Sequence, residues 1–319
     1  MEKKNVFGYG LGAITIFFWG ITFICTKTLL QDFSALEILF YRFLAAYLFL
    51  LIIHPKFEKI PPKDYLFSMF AGLSGVVVYQ FSENISLNFT AASNVSVIVA
   101  ISPLFAALLS QLILKEKHIT LWFIIGFIVS IVGVTLVSLN GQSKLEFNPK
   151  GDLLALFAAI SWGFYSCLIS VINRRGYDLI CSTRRTFFFA VILMIPLVLI
   201  GTRFDGVHSA SGFAESMAVT FDAAINKARF TKWINIAYIL FLGVIASGFC
   251  FTGWNKACNL IGTVKISNGL YLIPVVTIVF AYFMLGERIT LMGAIGAVVT
   301  IAGLFISGKK TKKELAGEN

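Results

Sequence analysis

Trp19, Gly20, Arg42, Gly72, Pro103 and Glu116 recur in the same order as Trp162, Gly163, Arg185, Gly243, Pro274 and Glu287. The chain is therefore two copies of one unit, which constrains the architecture before any secondary structure is assigned. Trp19 and Arg42 reappear 143 positions later, whereas Gly72, Asn84, Asn88, Pro103, Leu114 and Glu116 reappear 171 later. The difference of 28 calls for one insertion between Arg185 and Gly243, and the only long polar stretch of the second half, 202–232, lies there.

The repeated unit is hydrophobic. Apolar residues make up 58% of the chain and charged residues 13%, against about 25% charged in an ordinary soluble domain; mean hydropathy is +0.85. A bilayer core about 30 Å thick needs roughly 20 helical residues, and ten apolar runs of that order follow one another: 8–30, 35–53, 65–81, 91–114, 121–139, 153–172, 180–200, 234–254, 266–285 and 291–306. A β-barrel is excluded, because its strands alternate apolar and polar over about ten residues. The expectation is an all-α polytopic membrane protein with ten transmembrane helices. The first run lacks a signal cleavage site and has a counterpart inside the chain, so it reads as a span. Five cysteines (Cys25, Cys167, Cys181, Cys250, Cys258) show no CxxC spacing and argue neither a disulfide nor a metal site.

A net charge of +10 does not point to nucleic acid. With the N-terminus inside, 17 Lys and Arg fall in inner segments and 7 in outer ones, which places both termini in the cytoplasm and the chain, multi-pass, in a cell membrane. Five spans per copy is an odd number, so the second copy enters the membrane from the opposite side. Such an inverted repeat suits alternating access, in which a central cavity opens first to one face and then to the other.

Trp-Gly in the first span, Arg42 within YRFLAA in the second, and a Pro thirteen residues before a Glu (SPLFAALLSQLILKE, then IPVVTIVFAYFMLGE) resemble the EamA domain of the drug/metabolite transporter superfamily. KHITLWFIIGFIVSIVGV and RITLMGAIGAVVTIAGL match its fifth and tenth helices. The resemblance implies a ten-helix carrier of two inverted five-helix repeats, at 8–139 and 151–307, joined by a linker at 140–150 and followed by a basic cytoplasmic tail at 308–319. It also implies a bacterial cytoplasmic membrane and export of amino acids or related metabolites. The chain departs from the pattern at Lys115, where a glycine is usual, and in the outer loop 202–232.

The expected cavity lies between the halves, lined by the first, third, fourth, sixth, eighth and ninth spans. Arg42 sits about 12 Å into its span at helical rise, where a charge must face protein; it serves either an anionic group such as a substrate carboxylate or a structural pairing with Glu37 or with helix-end carbonyls. Arg185 lies at a helix end where snorkelling suffices. Trp19 and Trp162, midway along the first spans of the two halves, form opposite cavity walls or pack helices. Tyr79, Asn94, Tyr165, Trp254, Asn268 and Tyr271, with Ser161, add an aromatic and hydrogen-bonding set suited to small zwitterions or ring-bearing metabolites, or else serve helix packing. Pro103 and Pro274 fall within their runs and kink them, as hinges or as static bends. Lys27, Glu37 and Glu83 are candidates for an outer gate or for ion coupling, and Glu116 and Glu287 read as structural. Small residues at Gly126, Ser130 and Gly133 and at Gly296, Thr300 and Gly303 predict close helix contact, within the subunit or across a homodimer. Phe213, Met217, Phe221 and Ile225, spaced by four, predict an amphipathic helix on the outer surface; a disordered insertion is the alternative.

No Walker A sequence is present. Gly72-Leu73-Ser74-Gly75 has the form of an intramembrane serine protease motif, but His54, His118 and His208 all lie in loops, so no base accompanies it. The reading is a secondary transporter without cofactor, not an enzyme, whose partners are a small-molecule substrate and lipid. A multidrug or nucleotide-sugar carrier is the alternative, and a membrane enzyme a more distant one.

Overall fold

The computed structural model describes residues 2–89, 92–115, 119–138, 148–204, 213–285, 290–307 and 309, and for 2, 92–94, 97, 137, 138, 281 and 285 the backbone alone. Asn94's side chain, Glu116 and Glu287 lie outside the described residues. The described chain is helical throughout, as runs apolar on every side require when lipid offers no other partner for backbone groups.

The helices of the first copy are α1 (Glu2–Leu29), α2 (Ala35–Ile53), α3 (Pro62–Phe89), α4 (Ala92–Val99), α5 (Ser102–Ile113) and α6 (Leu121–Ser138). Those of the second are α7 (Pro149–Arg174), α8 (Leu179–Gly201), then α9 (Phe213–Met217) and α10 (Ala223–Thr231) in the insertion, and α11 (Trp233–Ile261), α12 (Thr263–Ser267), α13 (Ile273–Leu285) and α14 (Leu291–Ser307). Seven helical stretches are long and apolar enough to cross a membrane; Ser102–Ile113, Leu121–Leu136 and Leu291–Ser307 are shorter apolar helices.

Two irregularities recur at equivalent places. The third helix of each copy carries a widened, π-helical turn, Leu73–Val78 in α3 and Phe241–Phe249 in α11. The fourth is interrupted, at residues 100–101 between α4 and α5 and by a 3₁₀ turn, Asn268–Leu272, between α12 and α13. Pro103 and Pro274 each follow such a break directly and stand in the first turn of the helix that continues, α5 and α13, where a missing N–H is tolerated; the runs are bent at the prolines by interruption of the helix.

The copies interlock. Each first helix packs on the third helix of the other copy, α1 on α11 and α7 on α3. The fifth helices pack on each other with backbones in contact: a methyl group added to Gly126 would meet the Ser307 backbone at 2.3 Å, one on Gly133 the Thr300 nitrogen at 2.4 Å, and one on Gly303 the Ser130 nitrogen at 2.5 Å. Because the higher-numbered partner falls as the lower rises, α6 and α14 run antiparallel, and the small-residue stripes close within the subunit.

The insertion folds as a strap, not as the single amphipathic helix expected from its four-residue spacing. Met217 is buried against Leu36 and Val198, whereas Phe213, Phe221 and Ile225 are exposed. Asp222 ends that stripe by capping α10, accepting from the amides of Ala224 and Ile225 at 2.8 and 2.9 Å. Arg229 then grips Glu37 bidentately, at 2.9 and 3.1 Å, with its guanidinium 4.6 Å over the Phe33 ring. Lys232 and Asn235 hold Asp32 at 2.6 and 2.9 Å, and Asn88 donates to Ser216 at 2.8 Å. Glu37 also completes a capping box with Ser34.

Removing Arg229 strands the buried Glu37 carboxylate, a class of change that costs about 3–5 kcal/mol. Arg229→Ala is expected to lower the thermal unfolding midpoint in detergent by far more than Lys227→Ala. Lys232 holds the Asp32 carboxyl below its ordinary value of 3.8, so that part of the strap's contribution is complete above this pH and is lost as pH falls through the lower folded value. The wild-type midpoint should drop on such acidification more than that of Asp32→Asn.

Candidate functional site

The Trp-Gly pair does two jobs. In α1 the Trp19 ring turns to the bundle centre, while Gly20 lets α13 approach so closely that an added methyl would meet Val276 at 2.5 Å. In α7 the same pair places Trp162 centrally and lets Gly163 sit against Phe105 of α5 at 2.9 Å. The two indoles meet edge to face, 5.4 Å between centroids. Trp254 and Phe251 back Trp19 at 5.1 and 5.4 Å, and Tyr79 and Tyr165 each lie 4.9 Å from Trp162. Rings from both copies thus form one continuous cluster in offset and edge-on geometries.

Beside this cluster is a narrow cavity walled by Trp19, Tyr79 and Trp162 and by the polar groups of Arg42, Gln80 and Glu83. It leaves about 20 Å³ for a water-sized sphere, room for about one water. Arg42 is 2% exposed; its Nε donates to Ser247 Oγ at 2.6 Å and its Nη1 to Gln80 Oε1 at 2.7 Å. Its Nη2 has no hydrogen-bond partner among the described residues. Glu83 lies within electrostatic reach of Arg42, and no ion pair joins the two among the described residues. The structural pairing of Arg42 with Glu37 is not formed, because Glu37 belongs to the strap.

The two indoles differ. Trp19 Nε1 donates to the Ala246 carbonyl, 2.9 Å away in the widened turn of α11. In the widened turn of α3, the Ser74 carbonyl accepts from Ser161 at 2.8 Å instead. Trp162 Nε1 is left buried, without a partner, at the cavity wall.

Of the other expected residues, Tyr165 donates to Asn255 Oδ1 at 3.1 Å behind Trp162, and Trp254 is 1% exposed behind Trp19; both support the walls. Asn268 donates to Ser307 Oγ at 3.2 Å and Tyr271 packs with Ala100 and Val134, which sets both toward the α6–α14 seam, behind the cavity wall that Ala100, Leu270 and Ile273 form. Lys27 donates to the Leu87 carbonyl at 3.1 Å. Gln80, Thr22, Ser96 and Ser102 also line the cavity and were not singled out in the sequence. For Gln80 a signal exists: with Tyr79 and Glu83 it breaks an otherwise apolar run at helical spacing.

Arg185 is not the counterpart of Arg42. The capping residues Ser34 and Asp178 are 144 apart, and Gly243 abuts the Arg42 carbonyl as Gly72 abuts the Thr186 carbonyl. Thr186 occupies the equivalent place. Arg185, one position away and so turned by about 100°, reaches Glu58 at 3.8 Å and lies over the Tyr65 ring.

A duplicated, multi-pass helical bundle with a charged and aromatic cavity between its copies is the structure of a membrane transporter. The chain matches the EamA-like transporter family twice, over residues 6–139 and 149–308, and it belongs to that family, of the drug/metabolite transporter type. An Archaeoglobus fulgidus protein described as an uncharacterized transporter is 28% identical over 304 residues, 93% of this chain and 96% of its own length. A Streptantibioticus cattleyicolor protein described as a probable terminal-alkyne amino-acid exporter is 26% identical over 243 residues, covering 75% and 72%. One solved structure shares the fold, with a TM-score of 0.70 over 94% of this chain and 96% of its own at 14% identity.

The two indoles supply a test. Trp19→Phe removes a buried hydrogen bond and orphans the Ala246 carbonyl, at a cost of about 1–3 kcal/mol. Trp162→Phe removes a donor that has no protein partner; both variants lose the same ring volume from the cluster, so thermal unfolding should show a larger loss for the first than for the second. Equal losses would contradict the asymmetry.

Proposed function

We propose that the protein is a secondary transporter that exports small metabolites of the amino-acid class by alternating access. In this reading ten spans form two inverted five-helix halves in a bacterial cytoplasmic membrane, both termini lie in the cytoplasm, and the strap lies outside. The observation that carries it is the meeting, in one cavity, of an unbonded buried donor, Trp162 Nε1, with the guanidinium of Arg42 and the carboxylate of Glu83. A zwitterion satisfies all three: its carboxylate takes the guanidinium and indole protons, its ammonium faces Glu83, and the rings of Trp19 and Tyr79 cover its side chain. Charge-assisted hydrogen bonds of this kind are worth about 1.5–3 kcal/mol each. The exporter relative supports the class at the level of analogy.

Glu83 is also the carboxylate placed for ion coupling, since Glu37 is held by Arg229. Uptake of radiolabelled amino acids into proteoliposomes is expected to weaken roughly tenfold or more in Arg42→Leu and in Trp162→Phe, and Glu83→Gln is expected to abolish acceleration by an imposed pH gradient. Uptake by Arg42→Leu equal to wild type removes the zwitterion reading.

The inverted arrangement has its own test. Single cysteines at Lys63, before the body of α3, and at Lys227, before α11, should react with an impermeant maleimide from opposite sides of intact cells. Labelling of both from one side overturns the topology.

A further inference from the structure

At the end of the bundle opposite the strap, α2 finishes at Ile53 and His54 caps it, while Asp178 caps the start of α8 and accepts from the Cys181 amide at 2.8 Å. The chain after His54 crosses beneath α8, held there by Arg184, which donates to the carbonyls of His54 and Lys56. This crossing brings together three side chains of different chemistry. His54 Nε2 lies 3.4 Å from Asp178 Oδ1, yet it forms no hydrogen bond and is itself buried. Cys181 is 3% exposed, and its Sγ rests 3.4 Å from the Lys56 carbonyl. The imidazole nitrogen, a carboxylate oxygen and the thiol sulfur all lie within 4.8 Å of one another.

We propose that His54, Asp178 and Cys181 form a metal site for a zinc-class divalent cation, which staples the two halves together at this end. Zinc bonds of about 2.0–2.3 Å in tetrahedral geometry place ligand atoms roughly 3.3–3.8 Å apart. The His54–Asp178 separation already has that length, and turning Cys181 away from the Lys56 carbonyl closes the remainder. Imidazole, thiolate and carboxylate together select a borderline-soft ion over calcium or magnesium. On binding, the Cys181 thiol gives its proton to solvent and the sulfur–metal bond forms; thiolate and carboxylate then neutralise the two positive charges. Asp178 also lines the opening beside Tyr177, Lys256 and Asn259, from which water would complete the shell. The charges beside the ligands are of both signs, Arg184 and Glu58.

His54 comes from the first copy and Asp178 and Cys181 from the second, so a bound ion ties together elements that must separate for this end to open. The arrest of transport rests on the alternating-access reading; the binding does not. Cadmium titration of the purified full-length protein in detergent should give a thiolate-to-cadmium charge-transfer band that zinc displaces, with a raised thermal midpoint. Cys181→Ser should lose the band, and His54→Ala should weaken binding at least tenfold. Cys167→Ser, a buried thiol elsewhere, should behave as wild type. Absence of the band in wild type, or an undiminished band in Cys181→Ser, overturns the site; should Cys181→Ser fail to fold, unchanged affinity in His54→Ala does so. In proteoliposomes zinc on the side of this end should slow transport by wild type and not by His54→Ala. Metal bound by these residues without slowing overturns the staple while leaving the transport reading intact.

Discussion

Within a bilayer an unbonded backbone carbonyl has no water to turn to, and the design of this bundle follows from that. The widened turns of α3 and α11 and the breaks between α4 and α5 and between α12 and α13 all release backbone groups. Each lies where the other half covers it. The Ala246 carbonyl is met by Trp19 and the Ser74 carbonyl by Ser161, and Thr277 Oγ1 reaches across to the Gly20 carbonyl at 2.9 Å. Irregular backbone is thus concentrated at the contact between halves, where a change of partner changes shape. The regular pair α6 and α14 stands apart from the cavity, its backbones locked by glycine against serine and threonine.

Duplication supplies the frame, and departures from it supply the site. Arg42 is answered by Thr186, and Trp19, bonded, by Trp162, unbonded. Glu83 is answered at the 171-residue offset by Trp254, which backs the ring cluster. Two related copies with identical cavity faces would place like charges against each other. Here one half holds both charges, and the other contributes the open indole and the hydroxyl of Ser247. The cost of burying Arg42 is offset by two short hydrogen bonds, one from its own half and one from the other.

The features legible in the sequence were those with strong, local causes. Apolar runs and duplicated Trp-Gly and Pro marked the helices, the copies and the insertion, and a charge or indole at mid-span depth marked Arg42, Trp19 and Trp162. What escaped depended on a single residue of loop length or on distant partners. The match of Arg42 to Arg185 was an identity of letters; one added residue before α8 turns the second arginine by about 100°, out of the cavity. The spacing of Phe213, Met217, Phe221 and Ile225 implied one helix, but Asp222 competes for the amides that follow it and starts another. Glu37 looked like an isolated carboxylate near a span end because its partner, Arg229, is 192 residues away. The meeting of His54 with Asp178 and Cys181 was invisible for the same reason.

The strap has a consequence for the proposed exchange between two open states. Perfectly equivalent halves would make closure at either end equal in free energy, since each closed form would be the mirror of the other in sequence position. The insertion breaks that equality, because its contacts to Asp32, Glu37 and Asn88 exist at one end alone. Every 1.4 kcal/mol they contribute shifts the balance about tenfold toward closure there. In the proposed exchange a transporter biased in this way rests with its cavity available from the opposite end, and cargo bound there would have to supply the interaction that releases the strap. The strap thus sets which open state is populated at rest, whereas net flux follows the gradients of the transported species; in the proposed exchange, a tighter strap would demand a better-fitting substrate.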